Sequence, residues 1–420
     1  MQFRQRLQHL ALAALAATVL ASSVSAQTIT LDMPSWQVTE PGTGDWWRAL
    51  IAEFEAQNPG VTVDFQHQPL PAYNQTMVTR FAAGNPPDIL HLPAANFMVY
   101  AQEGWLVSLD DRLEALGIMD SWTPVQSACE YEGSTMCVVI LGYGDVLGWN
   151  DAAFKRAGLS GPPTTSEELI EYARALTVDL TGNGTIDQYG FVFPTVTHPG
   201  VEATATAFLF EYSGDAHWVT ETLDLNRDAI RHAWTQMRRL IDDGSVPLGL
   251  DTNGKRQFWV EGRAAMMLEG PWIQGNINVA GADVQPHLRV AQLPFSGEVR
   301  GGASNVLAIP SGISEERQAL AWRFIELFTS PEWQAAYSIV AGQPPARAGV
   351  LDEAFLAANP NMREYVAAAG VSRDFIPRGT EGFYTRFRDL IIEATLAAVV
   401  QGQDMDATMD ELQAQVRRLR

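Results

Sequence analysis

The segment Asp179-Leu180-Thr181-Gly182-Asn183-Gly184-Thr185-Ile186-Asp187 sets oxygen side chains at its first, third, fifth and ninth positions, with Gly at the sixth. Hard oxygen donors at alternate positions of a tight loop suit a calcium ion, and the order resembles an EF-hand loop. The bidentate Glu of such a loop is missing, because Gly190 stands at the twelfth position. Two readings stay open. Asp179, Thr181, Asn183, Thr185 and Asp187 hold a structural calcium, or the segment is a plain turn closed by Asn-Gly and Asx hydrogen bonds. No other cofactor is required. Cys129 and Cys137, the only cysteines, flank seven residues centred on Gly133, as in a hairpin that a disulfide could clip. An exported chain favours the disulfide over two buried thiols, and no His or Cys neighbour supports a structural metal. His-Glu-x-x-His, Walker, Gly-x-Gly-x-x-Gly and Gly-x-Ser-x-Gly motifs are all absent, so an enzyme is not expected. A secreted glycosidase is the remote alternative, since it needs only two carboxylates.

The elements that would carry these residues begin after an export signal. Arg4 and Arg6, the apolar run Leu10 to Ala21, and Val24-Ser25-Ala26 give the charged, hydrophobic and small-residue zones of a signal peptide over 1–26, cleaved near Ala26. No Cys stands at the cleavage point, so a soluble, non-lipidated mature form is expected. About 394 of the 420 residues then remain, which suggests two lobes. The formal charge is −21. Nucleic acid and anionic membranes are therefore excluded as partners. Ile29 to Met33 reads as a strand, Trp46 to Gln57 as a helix with Trp47, Leu50, Ile51 and Phe54 on one face, and Val61 to Phe65 as a strand. Tyr73 to Ala83 follows as a helix and Asp88 to Leu92 as a buried strand, the alternation of an α/β domain. Thr165 with Glu168 marks a helix start, Glu315 to Phe328 a helix, and Met405 to Leu419 a last amphipathic helix.

Four segments resemble a known family when taken in order. They are Asn58-Pro59-Gly60-Val61-Thr62-Val63; Phe81 to Ile89 with its Asn85-Pro86-Pro87-Asp88; Phe258 to Met266, ending in Gly270-Pro271-Trp272; and Gly301-Gly302-Ala303-Ser304 through Ala308-Ile309-Pro310, Ser330-Pro331-Glu332 and Gln343-Pro344-Pro345. Over residues 28–420 they resemble the extracellular solute-binding proteins of ABC importers, of the maltose-binding-like, sugar-binding kind. Pro86-Pro87 fixes the chain before Asp88, whose carboxylate can accept from backbone N–H groups at the strand start. Gly262 lets a helix turn into the next strand, and Gly270-Pro271 swings Trp272 into a loop.

That resemblance implies a two-lobed periplasmic-binding-protein fold. Each lobe would hold a central, mostly parallel sheet flanked by helices, with the ligand cleft between lobes. Residues 27–141 plus 307–345 would form the N-terminal lobe, and 142–306 plus 346–420 the C-terminal lobe. The implied function is a periplasmic receptor that captures a sugar or oligosaccharide. It would act as a monomer and deliver its ligand to an inner-membrane ABC permease and its ATPase. Candidate contacts at strand ends are Trp36, Glu40, Tyr73, His91, Asn96, Tyr143, Asp145, Trp272, Ser304, Asn305, Arg347 and Tyr384. Aromatic faces among them match the C–H faces of a sugar, and the polar groups match its hydroxyls. For Trp272 the family position implies stacking on a sugar ring, while ordinary core packing is its other reading. The Trp36 loop and Leu92-Pro93-Ala94-Ala95 depart from the maltose binder. A non-sugar solute is the alternative. A polyamine would want several cleft acids, and glycerol phosphate several cleft Arg or Lys, for which Arg347 is the one good candidate.

Overall fold

Strand β1 (Ile29–Ser35) buries Leu31 and Met33 on one face, and α1 (Thr43–Gln57) turns Trp47, Leu50, Ile51 and Phe54 onto it. The structure, a computed structural model, describes residues 28–40, 42–214, 217–295, 297–377 and 379–419. The export signal expected over 1–26 lies outside them. Strand β2 (Val61–His67) runs parallel to β1 in a register pairing Ile29 with Val61. After α2 (Leu70–Ala82), β3 (Leu90–Pro93) enters the core. The Asp88 carboxylate before it accepts from the Asp32 amide at 2.8 Å and from Arg317 at 2.6 Å, the backbone-capping role expected for it. Cys129 and Cys137 form a disulfide across the hairpin of Glu130–Tyr131 and Ser134–Thr135.

The chain then crosses. β4 (Cys137–Val139) lies in the first core, whereas β5 (Gly142–Gly144) and β6 (Val146–Asn150) lie in sheets of the second. α3 (Ser166–Ala175) starts at Thr165, which accepts from the Glu168 amide at 3.2 Å; the Glu168 carboxylate reaches back to Thr164, one residue further than a strict capping box. β7 (Tyr189–Val192), α4 (Pro199–Tyr212), α5 (Arg227–Asp242), α6 (Thr252–Val260), β8 (Ala264–Glu269) and β9 (Leu288–Ala291) complete the second layer. Gly262, at φ +74°, makes the turn between α6 and β8, a conformation that a Cβ disfavours. β10 (Val299–Ala303) pairs with β5, and β11 (Asn305–Ala308) returns between β3 and β4. α7 (Glu315–Phe328) and α8 (Pro331–Ala341) pack on the first core. Beyond a third passage come β12 (Ser372–Asp374), α9 (Tyr384–Thr395) and α10 (Met405–Val416) in the second.

Buried apolar residues separate accordingly. Leu31, Trp47, Phe54, Leu307, Phe324 and Phe328 share one cluster, which Tyr73, Phe97, Tyr100 and Val306 extend. Phe154, Phe191, Phe208, Trp234, Phe387 and Met409 share another, which Val146, Trp259, Met267 and Tyr365 extend. Where β4–β5 and β10–β11 pass between them, the strands bond to each other: Ser304 N–H donates to Leu141 O at 2.9 Å, and Ile140 N–H to Asn305 O at 2.8 Å. The sheets are mixed. β1–β2, β7–β8 and β10–β12 pair in parallel, as expected, but β6 and β11 pair antiparallel with both their neighbours. Each of these strands has just crossed from the other core and so enters its sheet from the opposite end. Among the described residues no helix is long and apolar enough to span a membrane.

Candidate functional site

A cavity of about 730 Å³ opens where the two cores face each other. Asn74, Ala95, Asn96 and Val99 line it from the first, and the ends of α4, α6, β8 and α9 from the second. Trp272 stands at its wall because of the residues just before it. Gly270 has no side chain, and the indole folds back across it: a Cβ there would meet the ring at 2.3 Å. The indole N–H donates to Glu269 Oε1 at 2.7 Å, and Tyr143 meets the ring edge-on at 4.9 Å. One face of the indole is thus held in place before any ligand arrives.

Glu269, at the end of β8, is the electrostatic centre of that wall. Its Oε2 receives Lys255 at 3.0 Å and Arg256 at 2.8 Å, and its Oε1 also accepts the Gly270 amide at 3.1 Å. Burial alone would push its carboxyl up, but Lys255 and Arg256 outweigh burial and bring it down to about 2. A second buried pair joins Arg300 Nη1 to Asp145 at 3.2 and 3.3 Å, with the guanidinium over the Phe375 ring at 4.1 Å. Burial pushes Asp145 up while Arg300 opposes it; Arg300 itself stays charged against burial because Asp145 faces it. Glu202, in the first turn of α4, sits where the helix dipole favours a carboxylate and accepts the Thr206 hydroxyl at 2.6 Å. His198 caps the same helix through Nδ1, which lies 3.2 Å from the Gly200 amide and 2.7 Å from the Thr252 hydroxyl. Tyr384 is pushed well above the ordinary phenol range by burial, and Tyr143 to about 12 for the same reason.

Four of the twelve expected contact residues, Asn96, Asp145, Trp272 and Tyr384, line the cavity, and Tyr143 backs it. The others lie elsewhere. Trp36 stacks on His91 at 4.4 Å and meets Tyr73 edge-on, all three in the first core. Tyr73 donates its hydroxyl to backbone carbonyls of Pro34 and His91, and His91 Nδ1 bonds the Ser35 hydroxyl at 2.8 Å. Their loop folds inward because this aromatic stack fills the space beneath β3. Glu40 accepts from Thr43 at 3.2 Å at the start of α1. Ser304 and Asn305 serve the crossing strands through their backbones. Arg347 donates to the Thr329 carbonyl at 3.0 Å, away from the cavity. The sequence reading missed Glu202, Lys255, Arg256, Glu269, Arg300 and Arg388. The signal that could have found Glu269 was a charged residue ending an otherwise apolar strand, Ala264 to Leu268.

The 179–187 loop closes on itself. Asp179 accepts from the Gly182, Asn183 and Gly184 amides at 2.7, 3.2 and 2.6 Å, and Asp187 accepts the Thr181 amide at 2.9 Å. Among the described residues no three His, Cys, Asp or Glu side chains gather as metal ligands, here or elsewhere. In the ion-free loop both carboxylates are thus occupied by amides, which an incoming calcium ion would have to displace.

The cleft between the two cores is walled by aromatic faces and by carboxylates already paired or hydrogen-bonded. The chain belongs to the bacterial extracellular solute-binding protein family, whose model matches residues 49–364. It is 24% identical over 328 residues to the maltotriose-binding protein of Pyrococcus abyssi (strain GE5 / Orsay), covering 76% of this chain and 67% of that one. Its fold is similar to that of the sugar-binding protein MalE of Xanthomonas citri, with a TM-score of 0.79, 20% identity, and 92% and 96% of the two chains covered. It is also similar to UgpB of Mycobacterium tuberculosis in complex with glycerophosphocholine, with a TM-score of 0.75, 21% identity, and 92% and 97% covered.

Proposed function

We propose that the protein is a periplasmic receptor that closes its lobes on a sugar or oligosaccharide and presents it to an inner-membrane ABC permease with its ATPase. The observation that carries this reading is Trp272, an indole fixed by Glu269 and Tyr143 at the wall of an inter-core cavity. A fixed aromatic face beside hydrogen-bonding groups is what a sugar's C–H face and hydroxyls require. The sugar-binding names of the relatives support the same ligand class. We place the lobes at 27–141 plus 307–345 and 142–306 plus 346–420; the separation of the buried clusters supports this division except at Val306 and Ala346, which pack in the first core. The crossing strands are the hinge. A ligand that touches both walls only in the closed form shifts the hinge by that difference in contact. The mature chain acts as a soluble monomer after cleavage near Ala26.

A thermal-shift panel of mono- and oligosaccharides tests the reading. A bound sugar at 100 times its Kd adds about 2.7 kcal/mol of stability. A melting temperature unmoved by every sugar contradicts it.

A further inference from the structure

The charge of the cavity runs against the charge of the molecule. The chain carries a formal −21, yet five of its 28 Lys and Arg line this one cavity, namely Lys255, Arg256, Arg300, Arg386 and Arg388. Of its 49 Asp and Glu, Asp145, Glu202 and Glu269 do so among the described residues. Those acids neutralise only part of the cations. Glu269 spends one oxygen on Trp272 and Gly270 and the other on Lys255 and the Nε of Arg256. Asp145 is committed to Arg300. Glu202 bonds a hydroxyl and no cation. Among the described residues the outer nitrogens of Arg256 make no hydrogen bond, and the one carboxylate paired with Arg388 is exposed Asp389, at 3.8 Å. Arg386 is exposed on the same helix and has no carboxylate partner among the described residues.

Uncommitted guanidinium groups are donors without acceptors. A sugar hydroxyl must donate as well as accept, whereas a carboxylate or phosphate only accepts and fits the guanidinium fork. A cleft of one sign with low-dielectric walls also concentrates ligands of the opposite sign, which an acidic surface elsewhere would repel.

We propose that the ligand is an anionic sugar, whose ring lies against Trp272 and whose carboxylate or phosphate is taken by Arg256, Arg386 and Arg388. The proposal rests on the sugar reading above and specifies it. Calorimetric titration of the mature protein tests it with matched sets: glucose, glucuronate and glucose 6-phosphate; galactose and galacturonate; inorganic phosphate and glycerol 3-phosphate as anions without a sugar ring. The expected result is a uronate or sugar phosphate bound at least tenfold more tightly than its neutral parent, weakening as salt rises. Which of the two binds identifies the anion's source. Arg386→Gln with Arg388→Gln, both on an exposed or half-buried helix face, should remove at least tenfold of that preference while the variant keeps the wild-type melting temperature. A neutral sugar bound as tightly as its acid, or a preference untouched in the double variant, overturns the charge assignment and leaves the sugar reading standing. Phosphate or glycerol 3-phosphate bound without any sugar overturns the proposal together with the sugar reading.

Discussion

Replacing Glu269 by Gln should strongly destabilise the second core. Lys255 and Glu269 have side chains 5% and 6% exposed, so their charges have little water to fall back on. Removing one partner of a buried pair leaves the other uncompensated and costs about 3–5 kcal/mol. In the variant Lys255 would keep only the Leu268 carbonyl, 2.8 Å away, and Trp272 would lose a charged acceptor for its N–H. The linkage has a definite sign. The folded carboxyl sits at about 2, below the ordinary 4.5, so its stabilisation is complete above pH 4.5 and drains away as pH falls towards 2. The full shift corresponds to about 3 kcal/mol, in line with the mutational figure. Urea unfolding of wild type and Glu269→Gln at pH 7 and across pH 5 to 2 measures both quantities. The variant should be about 3 kcal/mol weaker at pH 7, and the difference should shrink through the acid window. Adding Lys255→Met should recover part of the loss, because it removes the stranded cation. A deficit below about 1 kcal/mol at pH 7, or a constant difference down to pH 2, would refute the reasoning.

Three further outcomes follow from single features. Burial holds His91 down to about 3 from its ordinary 6.5, so the stability it supports is whole above pH 6.5 and declines as pH falls towards 3; His91→Gln should flatten that part of the pH–melting curve. Reducing the Cys129–Cys137 disulfide, which spans a sequence separation of 8, should cost about 2–3 kcal/mol in denaturant titrations, and Cys129→Ser should match the reduced protein. Calcium at millimolar concentration should leave the melting temperature where chelator leaves it, since amides already occupy Asp179 and Asp187; a rise of several degrees would establish the calcium reading of the loop instead.

Much of the fold was legible because it is written in local periodicity. The helix over Glu315 to Phe328 and the strand–helix–strand start from Ile29 follow directly from the spacing of apolar residues. The Cys129–Cys137 hairpin followed from symmetry about Gly133. Strand direction was less legible, since whether β6 and β11 run with or against their neighbours depends on where the chain has come from, not on their own residues. The site divides in the same way. Trp272 was readable because Gly-Pro-Trp is a local device. Trp36, Tyr73 and His91 were not, because an aromatic in a loop looks alike in sequence whether it faces a cleft or stacks beneath a strand. The cation cluster was invisible for the opposite reason. Lys255 and Arg256 stand on α6, Arg300 on β10, and Arg386 and Arg388 on α9, and only the tertiary fold gathers them.

The most direct test is the affinity of the sugar found in the panel for Trp272→Ala, measured by titration calorimetry beside wild type. Removing a fixed stacking face worth about 1–3 kcal/mol should weaken binding by roughly 5- to 150-fold. Wild-type affinity in Trp272→Ala would place the ligand somewhere other than this cavity.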